Sequence, residues 1–121
     1  MRQFFVSHDL SGKPFADAPH LMQDNRFRVV VQTEAALSFL DRRAAKPEQP
    51  WFLYLAFNAV HTPMHATDDR LAKFPNVADQ QRRTYDAMML AMDDAIGKVR
   101  AKLAETGQTE NTLIKIGRAH V

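Results

Sequence analysis

The sequence predicts an α/β fold, and three observations predict it. The run WFLYLAFN at 51–58 is almost wholly apolar, aromatic and β-favouring, as in a strand buried in a parallel sheet. Amphipathic helical patterns flank it at 30–43 and 80–106. A second β-favouring run starts at Thr112. Helix, strand, loop, helix, strand is the order of parallel strands joined by crossover helices. One buried strand and the start of another do not close a stable sheet. The expectation is therefore an incomplete α/β sandwich, a mostly parallel sheet with flanking helices, forming the middle of a larger domain.

Each element has a local reason. Residues 1–28 contain Gly12, Pro14, Pro19 and several Asp and Asn residues, so they read as loop with short extended pieces. Over 30–43, Val30, Thr33, Ala36, Leu37 and Leu40 share a face at three- and four-residue spacings. Arg42 and Arg43 suit the negative end of that helix, and Pro47 and Pro50 bar its continuation. One short helical turn is expected at 67–74, with Asp68 and Asp69 in its first turn. The 80–106 helix steps through Tyr85, Met88, Met92, Ile96, Val99 and Leu103. Asp79 is its expected N-cap and Gly107 its expected C′ residue. Gly97 inside it costs about 1 kcal/mol against Ala, which predicts a neighbour packed closely there.

Composition excludes several function classes. The chain has 121 residues, 45% hydrophobic and 25% charged, ordinary for one globular domain. No apolar run approaches the ~20 residues that span a bilayer. The sequence has no cysteine, which removes disulfides, thiolate metal sites and a cysteine nucleophile. The net charge of +2 disappears when Lys115 and Arg118 of the C-terminal tail are set aside. No basic patch with interleaved aromatics remains, so no nucleic-acid partner is expected.

Candidate chemistry concentrates after the 51–58 run. His61 follows it by three residues, where open parallel sheets bind ligands beyond their strand ends. An imidazole titrates near about pH 6.5, so it can protonate a departing alkoxide or bind an anionic oxygen. His65 lies on the same loop, either at the pocket mouth or as a plain surface residue. Asp93 and Asp94 are helix neighbours pointing about 100° apart, so they read as structural, with Asp94 either a capping residue or a partner of Lys98 at i+4. Met88, Met89 and Met92 read as core packing. Arg82 and Arg83 read as surface ion-pairing residues.

With these residues in hand, the chain resembles the sulfatases of the alkaline phosphatase superfamily over about 30–114. The carrying motifs are FLYLAFNAVHTPM at 52–64, LAKFPNV at 71–77, RRTYDAMMLAMDDAIGKV at 82–99 and ENTLI at 110–114. The resemblance implies a sulfuric ester hydrolase with an alkaline-phosphatase-like fold, a formylglycine nucleophile and a calcium ion. It implies substrates that are sulfated small molecules or sulfated glycans, and a periplasmic or secreted location. The one functional position that carries over is His61, as the group that contacts the ester and protonates the leaving oxygen. His65 stands where relatives often have Gln and is carried as a substrate-binding candidate. No metal ligand and no nucleophile motif map onto the sequence. A His61/His65 metal pair is not expected, because calcium prefers oxygen donors.

The domain expectation is a partial sulfatase catalytic domain over 1–114, inactive alone. Residues 115–121, KIGRAHV, match one reading frame of a short-read sequencing adaptor and are read as a non-native tail. Two other readings stay open. One is a phosphodiesterase or phosphonate monoester hydrolase of the same superfamily. The other is a non-catalytic α/β binding module.

Overall fold

A computed structural model describes residues 26–117. The loop reading of 1–28 and the end of the tail reading fall largely outside these residues. Among the described residues three helices form: α1 at Arg28–Ala44, α2 at Asp68–Leu71 and α3 at Gln80–Glu105. A 3-10 turn, Thr109–Asn111, follows α3. No helix among the described residues is long and apolar enough to cross a membrane.

The α3 helix forms with both predicted caps. The Asp79 carboxylate accepts the Arg82 backbone N–H at 2.8 Å, satisfying one orphan donor of the first turn. At the other end Gly107 has φ +70°, a left-handed conformation that glycine adopts without a Cβ clash. The Gly107 N–H donates to the Ala104 carbonyl and the Gln108 N–H to the Leu103 carbonyl. That double bond pattern is a Schellman cap, and it turns Gln108 back toward α1.

The buried face of α3 differs from the one the large residues predict. Ala87, Met88, Ala91, Ala95 and Leu103 are buried, whereas Tyr85 and Met89 are exposed. A ladder of small residues lets neighbouring backbone approach closely, so packing selects it over the bulkier stripe. Met92 and Ile96 instead line a shallow cleft with Ile114 and Ile116. Of the three methionines, Met88 is the core residue expected, and Met89 is not. Gly97 is also corrected: a Cβ built there meets nothing within 4 Å.

Helix α1 starts before the expected boundary, and its buried residues are Val29, Val31, Thr33, Ala36 and Leu40. Val30 and Leu37 are only half-buried. The buried Thr33 hydroxyl donates to the Val29 carbonyl, which removes its desolvation penalty. α1 packs along α3. Lys102 on α3 pairs with Asp41 on α1 at 3.1 Å, and the Asp41 hydrogen bond, then that of Glu105, holds its ammonium above the usual lysine range.

Residues 51–58 are extended, and burial alternates at every residue, the period of a strand. The expected complete burial is not found: Phe52 is 86% and Tyr54 80% exposed. Only one side of the segment meets the helical layer, where Phe57 packs against Val29, Ala91 and Ala95. Among the described residues the segment joins no strand ladder. A ladder needs a partner edge within about 4.8 Å, and the second run, Thr112 onward, does not supply it. Thr112 has extended backbone, with φ −128° and ψ 119°, and Leu113 is 95% exposed. Among the described residues neither run joins a strand ladder, so the sheet expected from the sequence is not formed there.

Candidate active site

The loop bearing His61 is held from below and from both sides. Ala87 and Met88 of α3 form a buried cluster with Ala66, against which Ala59, Val60, Met64, Leu71 and Phe74 pack. The short α2 turn sits beside this loop and is fastened to α3 twice. Arg70 pairs with Asp94 at 3.0 Å, and the Arg83 guanidinium donates to the Leu71 carbonyl at 3.0 Å. Asp94 therefore pairs with Arg70, not with Lys98. Arg82 pairs with Asp86 at 2.9 Å, as a surface residue was expected to. The loop contains two cis peptide bonds, Ala59–Val60 and Thr62–Pro63.

His61 is exposed, and its ring Nδ1 lies 2.6 Å from the Thr62 carbonyl oxygen. A carbonyl only accepts, so Nδ1 carries the hydrogen and donates it. Nε2 has no hydrogen-bond partner among the described residues. The contact thus favours the Nδ1–H tautomer of the ring.

His65 is exposed on the same loop. Its ring lies against Phe27, with centroids 5.9 Å apart and planes tilted by 53°. The loop thus presents both histidines to solvent, His61 held by its own backbone and His65 by an aromatic at the start of α1. Asp93, the other half of the suspected carboxylate pair, is exposed on α3 and lines the Met92–Ile96 cleft.

Two site-supporting residues escaped sequence reasoning. The Gln32 side chain on α1 donates from Nε2 to the Ala56 carbonyl at 3.1 Å and accepts the Asn58 N–H at 3.2 Å. Gln108 accepts the Trp51 indole N–H at 3.2 Å and donates to the Leu40 carbonyl at 3.3 Å. The available signal for Gln32 was one amide inside the apolar stretch VVVQTEAA. Gln108 had none beyond its place after Gly107.

Among the described residues no group of three or more His, Cys, Asp or Glu could hold a metal ion. The sequence contains no cysteine. The chemistry that the described loop presents to solvent is that of the His61 and His65 imidazoles.

Similarity to known proteins places this loop in context. A family model described as Sulfatase matches residues 16–116. The chain is 30% identical over 119 residues to the uncharacterized sulfatase YdeN of Escherichia coli (strain K12), covering 92% of this chain and 21% of that protein. It is 31% identical over 84 residues to human N-acetylgalactosamine-6-sulfatase, covering 69% of this chain and 15% of that one. The crystal structure of Ps i-CgsB superposes with a TM-score of 0.70 at 34% identity, covering 83% of this chain and 20% of that one. The same protein in complex with k-i-k-neocarrahexaose superposes with a TM-score of 0.71. The chain thus spans about a fifth or less of the length of these relatives. A family-model match over most of its length means that this chain belongs to the sulfatase family.

Proposed function

We propose that this chain forms one wall of the active site of a sulfuric ester hydrolase, with His61 as the acid that protonates the departing oxygen. The observation that carries this reading is the exposed His61 ring whose Nδ1–H is committed to the Thr62 carbonyl. When the S–O bond breaks, the bonding pair goes to the departing oxygen, and His61 Nε2–H delivers the proton to it. The ring is left as the neutral Nδ1–H tautomer that the Thr62 contact favours. His65, on the same loop, contacts the substrate at the pocket mouth. Formylglycine and calcium, which sulfatases use, come from residues other than the described ones. The remaining strands of an alkaline-phosphatase-like sheet cover the exposed side of 51–58.

The substrate is a sulfated small molecule or a sulfated glycan. The names of relatives support the sugar class: one is an N-acetylgalactosamine-6-sulfatase, and one related structure holds an oligosaccharide. The test is leaving-group dependence in the sulfatase that contains this segment within its complete domain. His61→Ala lowers kcat/KM for a sugar sulfate by roughly 10²–10⁴-fold. It lowers that for nitrophenyl sulfate far less, because nitrophenolate departs without a proton. Equal losses on both substrates refute the role of His61. The isolated 121-residue chain hydrolyses neither substrate, because one acid cannot replace nucleophile and metal.

A further inference from the structure

Gln32 makes a pair of hydrogen bonds that belongs to sheet geometry. Its amide takes the Ala56 carbonyl and gives an acceptor to the Asn58 N–H. In an extended chain these two groups lie on the same edge. One residue of a parallel neighbouring strand uses its own N–H and C=O in that way, bonding the residues on either side of its opposite number. The orientation of the Gln32 amide is fixed by its partners, since a carbonyl only accepts and an N–H only donates. A side chain from a helix therefore occupies one residue's place in a ladder. It does so at the last turn of the extended segment, three residues before His61.

From this placement we infer that Gln32 is a positioning residue for His61. It sets the point at which the extended segment ends and the loop begins. The downstream end of the loop is set separately, by Ala66 buried against Ala87 and Met88. With both ends fixed, the seven residues 59–65 have a defined span, and the His61 ring meets the Thr62 carbonyl within it. Releasing the upstream end lets the segment slide and turn relative to α1. His61 then loses the geometry that commits its proton to Nδ1. The consequence for catalysis rests on the role proposed for His61 above, but the positioning itself does not.

The test reads the imidazole directly in the 121-residue chain by ¹⁵N NMR at a pH where His61 is neutral, together with amide hydrogen exchange. In the unaltered chain His61 is the Nδ1–H tautomer. In Gln32→Leu, Asn58 N–H exchange rises about tenfold or more, and the His61 ring populates both tautomers. Gln32→Glu keeps an acceptor for Asn58 and loses the donor to Ala56, so its tautomer shift is smaller. A merely structural contact would alter the unfolding midpoint and leave the tautomer alone. An unchanged His61 tautomer in both variants overturns the inference. Should Gln32→Leu not fold, Gln32→Glu alone decides it by the same readout. Failure of the leaving-group experiment leaves these spectra unaffected, so the two ideas fail separately.

Discussion

The helical layer and the extended segments of this molecule are stabilised by different means. α1 and α3 satisfy their own backbones and pack along each other, and Leu40 of α1 is fully buried. The segment 51–58 has strand-like alternation and no strand beside it among the described residues. Its position rests on side chains from the helical layer. Gln108 and Phe39 hold Trp51 at one end, the latter by an edge-on ring contact at 5.7 Å. Gln32 holds Ala56 and Asn58 at the other. The comparison teaches that a strand-forming sequence does not by itself make a strand: the period is local, but the ladder needs a neighbour.

Substitutions can break this comparison or sharpen it. The largest effect is expected in the helical layer. Leu40→Ala removes a fully buried side chain and should cost about 2–5 kcal/mol, read from a urea titration followed by Trp51 fluorescence. A cost below about 1 kcal/mol would mean that the α1–α3 layer is not the stabilising core. Gln108→Leu should come next. It leaves the Trp51 indole N–H without its acceptor, at about 1–3 kcal/mol, and Trp51 emission should shift with solvent access before the helices melt. If helix loss and Trp51 release coincide in that variant, the segment is not separately tethered. The smallest change carries the opposite sign. Gly97 sits in α3 with open space around its Cβ position, so Gly97→Ala should stabilise by up to about 1 kcal/mol. Helical ellipticity followed through thermal unfolding checks it, and a lower midpoint would show that the glycine has a packing role after all.

The sites show how far local pattern reaches. Asp79 and Gly107 were legible as caps because capping is decided within a few residues. His61 drew attention in the sequence because it follows an apolar run and sits in a sulfatase-like motif. Its Nδ1–H contact with Thr62 was not legible, since ring orientation depends on the path of the loop. Asp94 illustrates the failure. An i,i+4 lysine was available on the same helix, yet the carboxylate turned to Arg70, 24 positions away in sequence. Once α2 docks beside α3, the nearer cation in space is the farther one in sequence.

Periodicity misled in one instructive place. Along α3 the large apolar residues mark one stripe, and the alanines at 87, 91 and 95 mark another about one residue's rotation away. Hydrophobicity ranks the first stripe higher, but close approach of α1 and the His61 loop requires the second.

By itself, then, the sequence determined the helices, the caps of α3, the extended period of 51–58 and the family whose motif carries His61. These depend on backbone sterics, short-range hydrogen bonds and residue order. Only the tertiary structure decided which face of α3 is buried, that Gln32 takes one residue's place beside Ala56 and Asn58, that Gln108 holds the Trp51 indole, and that Asp94 turns to Arg70. Those outcomes depend on groups far apart in the chain meeting at hydrogen-bonding distance, and no local window of sequence contains both partners.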